Sequence, residues 1–392
     1  MIIQLVDIYY PNVFKRYSSK YNIFRDLYEK DLMGLEIRAI NQKLANKIKK
    51  IILSNKEICY LHSNKNTGQD DLLALGSFGI FKELSKEIIA IGNEDTGFKV
   101  SHVIQNITEY ENRAFRIANL NYSMNKAYIM GILNVTPDSF SDGGKYISKE
   151  AAVNHGIRLI EQGADIIDVG GESTRPGAES VSLDEELNRV IPVIEILLNY
   201  KPNAVISIDT SKPLVAKEAL AKGARIVNDI SSFSDETMLD VVKEFDATLV
   251  LMHMKGTPKN MQNSPSYEDV VSEIYDYLLA KCETAKKSGV KNIIIDPGIG
   301  FGKRVFDNYE LIKRLNEFKG VGYPILIGLS KKTFLGKPLD LNVDERSEPT
   351  LAAETLAIKN GARIIRTHDV KNAAFASKIN YFIENPESLN NV

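Results

Sequence analysis

From Ala127 onward, short apolar segments and helix-type patterns follow one another in regular alternation. Eight apolar segments have the length and composition of strands: YIMGILNV, ADIIDVG, AVISIDT, ARIVNDI, ATLVLMHM, NIIIDPG, PILIGLS and ARIIRTH. Each of these segments is followed by a stretch in which apolar residues recur at helical spacing. These stretches are SKEAAVNHGIRLIEQG, SLDEELNRVIPVIEILLNY and residues 213–222, 235–245, 267–288, 308–318, 350–360 and 370–383. In the sixth segment, Ile293, Ile294 and Ile295 form a β-branched run that suits a parallel strand covered on both faces. Strand and helix pairs in this number predict a (β/α)8 TIM barrel, with an open doubly wound sheet as the alternative.

The first 120 residues show a different pattern. Apolar residues recur at helical spacing within INQKLANKIKKIIL and again from Val103 to Ile117. Two short segments between them have the character of strands: EICYLHS and DLLALGS. We therefore expect a small α/β domain over residues 1–120, followed by the barrel over residues 126–388. No nucleophile, metal cluster or paired-acid arrangement stands out in this extension, so the sequence does not assign it a role.

Composition and charge narrow the class of function. A net charge of −2 and a pI near 6.3 argue against a protein that coats nucleic acid, so any bound anion is expected to be small and held locally. The N-terminal segment MIIQLVDIYYPN lacks a basic leader, and no apolar run is long enough to cross a bilayer, which predicts a cytoplasmic location without a membrane partner. Cys59 and Cys282 lie far apart, which argues against a disulfide framework or a zinc site.

The segment NIIIDPGIGFGK places an acid and a glycine-rich loop at the end of the sixth strand. Asp296 ends the strand, and the following proline and glycines can neither continue it nor start a helix. We expect a loop whose backbone approaches a ligand and to which Lys303 contributes a cation. A polar strand end above a flexible turn is the alternative, but similar arrangements after other strands favour a site.

Polar loops follow several of the other predicted strands, and in a barrel such loops meet at one mouth. NVTPDSFSDGG follows the first strand and is too polar for a core. GGESTRPGAES follows the second strand and surrounds Arg175 with small hydroxyls, a composition that suits phosphate. RTHD follows the eighth strand with an arginine and a histidine, and His253 at the end of the fifth could line the same pocket. Together with the lysines of the neighbouring loops, these groups predict a site for a multiply charged anion.

Acids form the other half of the predicted mouth. Asp209 and Asp296 end the third and sixth strands, and Asp229 follows Asn228 at the end of the fourth. Such acids could bind Mg²⁺, act as bases, or accept hydrogen bonds from a flat nitrogen heterocycle. Any one of these acids could instead cap the helix that follows it, but we do not expect all three to do so. No pair of histidines has metal-ligand spacing, and His368 is better placed to donate to an anion.

The segments that carry these residues resemble, in order, the signature segments of the dihydropteroate synthase family: MGILNVTPDSFSDGG, DVGGESTRPGAE, SIDTSKP, VNDI, LMHMKGTP, IIDPGIGFGK, GLSKK and RTHDV. The resemblance implies a (β/α)8 barrel that condenses 6-hydroxymethyl-7,8-dihydropterin diphosphate with p-aminobenzoate, releasing pyrophosphate and forming 7,8-dihydropteroate. It also implies a homodimer that forms through the last barrel helices, and two small molecules as its binding partners.

The family's site residues carry over onto matching positions. The implied pterin pocket consists of Asp209, Asn228, Asp296 and Lys332. The implied diphosphate site consists of Asn134, Arg366 and His368, with Asn134 also a ligand of Mg²⁺. Around the aminobenzoate the resemblance places Thr174, Pro176, Phe301 and Ser330. Asp138 and Arg175 lie on two mobile loops, residues 135–146 and 172–181, and would help to order the site.

Two positions depart from the family's pattern. Lys331 stands where relatives commonly have arginine, which keeps the charge but loses the planar fork, so no specific contact is assigned to it. Thr367 stands where valine is common, which we interpret as a minor change.

The implied chemistry requires little covalent work from the protein. Loss of pyrophosphate from an electron-rich ring builds a delocalised cation, which the pocket acids Asp209 and Asp296 would offset before the arylamine attacks. The hypothesis is that no side chain acts as a nucleophile. The rival activities are a pterin-binding methyltransferase, which has no use for a diphosphate site, and a catalytically inactive barrel that serves as a scaffold.

Overall fold

The computed structural model describes residues 1–8, 10–21, 33–54, 60–66, 69–136, 145–173 and 181–390. These residues divide into two units. Unit 1 contains residues 1–110 together with residues 316–322, and unit 2 contains residues 111–315 and 323–392.

Unit 1 is built on a four-stranded antiparallel sheet in the order β1-β2-β4-β3. Its strands are β1 (Ile2–Val6), β2 (Met33–Asn41), β3 (Tyr60–Asn66) and β4 (Gln69–Gly76). Its helices are α1 (Pro11–Tyr21), α2 (Gln42–Ser54), α3 (Phe78–Ala90) and α4 (Glu94–Thr108). Because side chains alternate along a strand, Leu35 and Ile37 of β2 pack with α2, α3 and α4, whereas Val6 of β1 packs with Tyr17 and Tyr21 of α1.

The face of the sheet that α1 covers also holds a buried acid. Glu36 is fully buried and accepts hydrogen bonds from Tyr21 Oη at 2.5 Å, Lys20 Nζ at 2.7 Å and Arg38 Nη1 at 2.7 Å. A buried carboxylate needs such partners, because leaving it unpaired would cost several kcal/mol. The network therefore fixes the position of α1 on β2.

Residues 316–322 complete unit 1 although they are distant from its other residues in sequence. Glu317 is 1% exposed and accepts hydrogen bonds from Gln4 Nε2 at 3.1 Å and from the backbone N–H of Asp7 at 3.2 Å. Asn106 donates to a backbone carbonyl of the same segment at 3.1 Å. The segment is therefore a structural part of the N-terminal unit.

Unit 2 contains a closed eight-stranded parallel barrel in which neighbouring strands follow the chain order. Its strands are β7 (Tyr128–Asn134), β8 (Ile166–Gly170), β9 (Val205–Asp209), β10 (Ile226–Asp229), β11 (Thr248–Met252), β12 (Asn292–Asp296), β13 (Ile325–Gly328) and β14 (Ala362–Thr367). Its helices are α5 (Lys145–Glu161), α6 (Leu183–Tyr200), α7 (Pro213–Ala221), α8 (Thr237–Glu244), α9 (Val270–Lys287), α10 (Val305–Lys313), α11 (Thr333–Gly336), α12 (Ser347–Lys359) and α13 (Val370–Glu384). The predicted TIM barrel is confirmed.

A hairpin precedes the barrel and caps the amino ends of its strands. It consists of β5 (Ala114–Ile117) and β6 (Leu120–Ser123), and the backbone N–H of Ala118 at its turn donates to Thr248 Oγ1 of β11 at 2.9 Å. The helix predicted from Val103 to Ile117 was therefore too long: α4 ends at Thr108, and the apolar residues after it alternate with exposed ones as in a strand.

The helices of the described ranges are amphipathic or short. None of them has the length and apolar content that crossing a bilayer requires.

Candidate active site

The polar residues predicted from the strand ends come together at the carboxyl end of the barrel. Asn134, Asp209 and Asp296 are the last residues of their strands, and Asn228 and Arg366 are next to last. Parallel strands of a closed barrel all present these ends to the same mouth. The structure thus brings the predicted acids, amides and arginine into one cavity.

Arg366 is held between two carboxylates inside the barrel. Its Nε donates to Asp168 Oδ2 at 2.6 Å, and its Nη2 donates to Asp209 Oδ2 at 2.6 Å. Asn228 Nδ2 donates to the same oxygen of Asp168 at 3.0 Å. Asp168 is fully buried. Through these two bonds it connects Arg366, which is predicted to bind the diphosphate, with Asn228, which is predicted to bind the pterin.

Asp168 is the site residue that the sequence reasoning missed. It lies within β8 rather than at its end, inside the apolar segment ADIIDVG. The available signal was an acid two residues before a strand end, on the face that points into the barrel. A buried acid on that face requires a cationic or donor partner.

Burial sets the protonation behaviour of the pocket acids. Burial raises the pKa of Asp209 to about 7, which Arg366 opposes and Asp168 reinforces. Burial also raises the pKa of Asp296, against the opposing effects of the backbone N–H of Gly298 and the charge of Lys332. The carboxyl group of Asp209 can therefore hold or release a proton near neutral pH.

The guanidinium and the ammonium of the pocket respond differently to burial. Burial acts to lower the pKa of Arg366, but the carboxylates of Asp168 and Asp209 raise it above its ordinary value, so the arginine stays charged. Burial lowers the pKa of Lys332 to about 8, with Asp296 opposing the shift and Arg366 adding to it.

Lys332 lies against the loop that follows β12. Its Nζ donates to the backbone carbonyl of Ile299 and lies 4.7 Å from the centroid of the Phe301 ring. In the neighbouring loops after β13 and β14, Ser330 and His368 are in contact, with His368 Nδ1 3.0 Å from Ser330 Oγ. The predicted pterin and aminobenzoate residues Lys332, Phe301 and Ser330 thus lie on adjacent loops.

Two glycines of the loop after β12 lie very close to the backbone of the loop after β11. Gly298 has a φ of +70°, and a Cβ there would lie 1.9 Å from the backbone oxygen of His253. Gly302 has a φ of +63°, and a Cβ there would lie 2.4 Å from the backbone oxygen of Lys255. Glycine is therefore required at these two positions for close packing on the loop after β11.

Lys303 was expected to add a cation to the mouth, and this expectation was wrong. The residue is 4% exposed, and its Nζ donates to the backbone oxygens of Gly298 at 2.7 Å and Phe301 at 3.0 Å. It also contacts His253, the histidine that was expected to line the pocket. Sequence alone could not show that this side chain turns inward.

Asp229 bonds to nearby backbone, a local structural role of the kind given above as the alternative to ligand binding for the strand-end acids. It accepts hydrogen bonds from the backbone N–H groups of Ser231 at 2.8 Å and Phe233 at 2.6 Å. These bonds fix a tight loop in which Ser232 and Phe233 have φ values of 50° and 51°. Asp229 therefore stabilises backbone next to Asn228.

The base of the second predicted loop is fixed by ion pairs. Lys212 Nζ donates to Glu172 and also to Glu186 Oε2, the latter at 2.5 Å. Arg189 Nη1 donates to the backbone oxygen of Gly171 at 2.7 Å. The start of the loop is thus anchored by Lys212, which lies three residues beyond Asp209 in sequence.

Four predicted site residues lie outside the described residues: Asp138, Thr174, Arg175 and Pro176. Asn134, the predicted Mg²⁺ ligand, is half-buried at the end of β7. Among the residues that the structure describes, no three His, Cys, Asp or Glu side chains are arranged to hold a metal ion.

Comparison with known proteins identifies what the barrel resembles. The family model described as "Pterin binding enzyme" matches residues 130–368. The dihydropteroate synthase of Escherichia coli (strain K12) is 46% identical over 254 residues, which are 64% of this chain and 90% of that protein. Two solved structures of the Xanthomonas albilineans dihydropteroate synthase are also similar. The one with 4-aminobenzoic acid has a TM-score of 0.65 and 40% identity, and covers 69% of this chain and 98% of its own. The complex with 7,8-dihydropteroate has a TM-score of 0.63 and 38% identity, and covers 70% of this chain and 99% of its own.

Proposed function

The chain belongs to the dihydropteroate synthase branch of the pterin-binding enzyme family, and from this premise we propose the reaction that it catalyses. It condenses 6-hydroxymethyl-7,8-dihydropterin diphosphate with p-aminobenzoate, giving 7,8-dihydropteroate and pyrophosphate. The observation that carries the proposal is the convergence of Asp209, Asn228, Asp296 and Arg366 at one barrel mouth, in a chain 46% identical to a synthase. A cytoplasmic location stays a prediction from the sequence.

The floor of the mouth suits a flat, nitrogen-rich ring. Asn228 can both donate and accept, and Asp209 and Asp296 can accept from ring N–H groups. Lys332 can donate to a ring acceptor, and its lowered pKa of about 8 makes that proton easier to share. As the diphosphate leaves, the buried carboxylates offset the positive charge on the ring. No side chain is proposed to act as a nucleophile, and a trapped covalent pterinyl adduct would contradict this.

The diphosphate is proposed to bind at the rim formed by Asn134, Arg366 and His368. The bonds of Arg366 to Asp168 and Asp209 use two of the five N–H donors of its guanidinium. Its side chain is 21% exposed, so the group is accessible from the cavity. His368 faces the same rim at half exposure. A planar donor held by two acids is well suited to grip phosphate oxygens in a fixed orientation.

Mg²⁺ is proposed as the cofactor, with the amide oxygen of Asn134 as its protein ligand. Mg²⁺ commonly keeps several waters and binds through one or two protein oxygens plus substrate phosphates, so this sparse donor set fits the ion. When bound, it would supply charge stabilisation for the departing diphosphate. Removal of Mg²⁺ by a chelator should abolish activity, and Asn134→Ala should raise the Mg²⁺ concentration needed for half-maximal rate.

We propose that the loops at residues 135–146 and 172–181 close over the substrates and exclude water, which would otherwise capture the ring cation. Asp138 and Arg175 would order the closed site, and Thr174 and Pro176 would flank the aminobenzoate together with Phe301. The ion pairs of Lys212 at the base of the second loop support this proposal, because they fix where the loop begins.

Pyrophosphate release is the direct test. The purified chain, supplied with the dihydropterin diphosphate and Mg²⁺, should release pyrophosphate only when p-aminobenzoate is added, whereas a methyltransferase would release none. Lys332→Met should lower the rate about 100-fold or more, as expected for loss of a positioned donor. Lys222→Met removes a lysine whose side chain is 40% exposed and is the matched control, with an expected wild-type rate.

A homodimer through the last barrel helices is also proposed. Four large apolar side chains are exposed on α12 and α13: Leu356 (59%), Phe375 (54%), Ile379 (55%) and Ile383 (68%). Exposed apolar residues at such spacing favour a protein interface. Ile379→Glu should convert the dimer to a monomer in analytical ultracentrifugation, and Leu53→Glu, at an exposed position of α2, is the control.

The extension, assigned from the sequence to residues 1–120, is proposed to have a stabilising role. Its support is the inclusion of residues 316–322, which lie between α10 and β13, in unit 1. A chain that lacked residues 1–110 would leave Glu317 without the donors Gln4 and Asp7. The truncated barrel is therefore expected to unfold at a lower temperature, and an unchanged melting temperature would favour a separate docking role.

A further inference from the structure

Lys303 has an unusual environment for a lysine. Its ammonium group is buried and surrounded by acceptors from two loops. From the loop after β12 it bonds to the backbone oxygens of Gly298 at 2.7 Å and Phe301 at 3.0 Å. From the loop after β11 it lies 3.0 Å from His253 Nδ1 and bonds to the backbone oxygen of His253 at 3.3 Å. One side chain thus joins the two loops.

The chemistry of these groups defines the roles of donor and acceptor. The backbone oxygens can only accept, so Lys303 Nζ donates to them, and a neutral His253 ring can accept at Nδ1 from the protonated amine. Burial and the positive charge of Lys303 lower the pKa of His253 to about 2, which keeps the ring in that form. Burial lowers the pKa of Lys303, but both the ammonium and the neutral amine carry N–H donors, so the side chain can hold the loop carbonyls in either form.

The backbone that Lys303 holds carries groups of the proposed active site. Between the two bound carbonyls of Gly298 and Phe301 lies the carbonyl of Ile299, which accepts a hydrogen bond from Lys332. The Phe301 ring, which is proposed to flank the aminobenzoate, lies 4.7 Å from Lys332 Nζ. The loop therefore places both an aromatic wall and a support for Lys332.

Two of the four proposed pterin residues, Asp209 and Asn228, do not bond to this loop, whereas Lys332 and Asp296 do. Asp209 and Asn228 are at the ends of other strands, where Arg366 and Asp168 hold them. Displacement of the loop should therefore disturb the arylamine side of the site more than the pterin side.

We propose that Lys303 is a positioning residue for the arylamine subsite, because its ammonium fixes the backbone that presents Phe301 and the Ile299 carbonyl. It does not touch the substrates, and its effect is transmitted through the loop. The inference rests on the proposed synthase function.

The test compares the KM values of the two substrates in the full-length chain. Lys303→Met keeps the length of the side chain but removes all N–H donors, and it should raise the KM for p-aminobenzoate about tenfold while the KM for the pterin diphosphate changes less than about threefold. Lys303→Gln keeps two N–H donors and should give a smaller rise of the same selectivity. If the methionine variant does not fold, the two KM values are compared in Lys303→Gln instead.

A matched control separates this role from a general effect on stability. Lys281 also donates to a backbone carbonyl, that of Ser232 at 2.9 Å, on another loop of the mouth. Lys281→Met should lower the melting temperature without changing the ratio of the two KM values. A folded Lys303 variant with both KM values unchanged, or with both raised equally, would overturn the proposal. A wild-type chain that releases no pyrophosphate would overturn the proposed function itself and the inference with it.

Discussion

Replacing Arg366 by lysine should destabilise the barrel, because one guanidinium serves two buried carboxylates. Asp168 is fully buried and Asp209 is 7% exposed, and each accepts a bond of 2.6 Å from a different nitrogen of the arginine. A lysine ammonium is a single point and cannot reproduce both bonds in this geometry. One buried carboxylate would then lack its charged partner.

The magnitude follows from the cost of breaking a buried ion pair. Removing one partner of such a pair costs about 3–5 kcal/mol. Because lysine keeps one positive charge, we expect the free energy of unfolding to fall by about 2–4 kcal/mol. This corresponds to a fall in Tm on the order of 4–10 °C. Arg225→Lys, just before β10, is the matched control, since Arg225 Nη1 makes an exposed bond to Asn119 Oδ1 at 2.7 Å. Its replacement should cost about 1 kcal/mol.

The measurement is thermal and urea unfolding of both variants, followed by circular dichroism at several pH values. Without the guanidinium, a buried carboxyl can keep its proton at low pH, so the loss from Arg366→Lys should be smaller at pH 5 than at pH 8. Calorimetry with the dihydropterin diphosphate should show weaker binding to the same variant. If the two arginine variants unfold within about 0.5 kcal/mol of each other, which is the usual error of additivity, the double carboxylate clamp does not contribute as reasoned.

Three further predictions concern pH and the N-terminal unit. The pKa of Asp209 in the folded protein, about 7, lies above its value in the unfolded chain, so its contribution to stability should be lost as pH rises from about 4 to 7. Asp209→Asn should flatten that part of the curve of stability against pH, and an unchanged slope would contradict the assignment. His253 has the opposite sign: its folded pKa of about 2 lies below the unfolded value, so stability should fall as pH drops below about 6.5, and His253→Gln should remove this loss in acid titrations. Glu317→Ala should destabilise unit 1 by about 2–4 kcal/mol through the bonds from Gln4 and Asp7 and raise hydrogen exchange in residues 1–110, whereas Glu317→Gln, which keeps an acceptor, should have a smaller effect.

The sequence predicted the barrel and most of its mouth, because apolar runs mark parallel strands and polar residues after them must meet. It did not reveal Asp168, which lies inside an apolar strand rather than after one. It misplaced Lys303, because the direction of a lysine after a glycine loop depends on carbonyls of a neighbouring loop. In the N-terminal unit, strand β2 alternates apolar residues with Glu36 and Arg38, and the burial of its charged face depends on α1 and could not be anticipated.

The inclusion of residues 316–322 in unit 1 has a consequence for biosynthesis. As the chain leaves the ribosome, residues 1–110 emerge first, but residues 111–315 must also be translated before Glu317 becomes available to Gln4. At roughly 5–20 residues per second, that interval is about 10–40 s. For that time the bonds of Gln4 and Asp7 to Glu317 have not formed, and a chaperone that binds early chains would have its longest opportunity there.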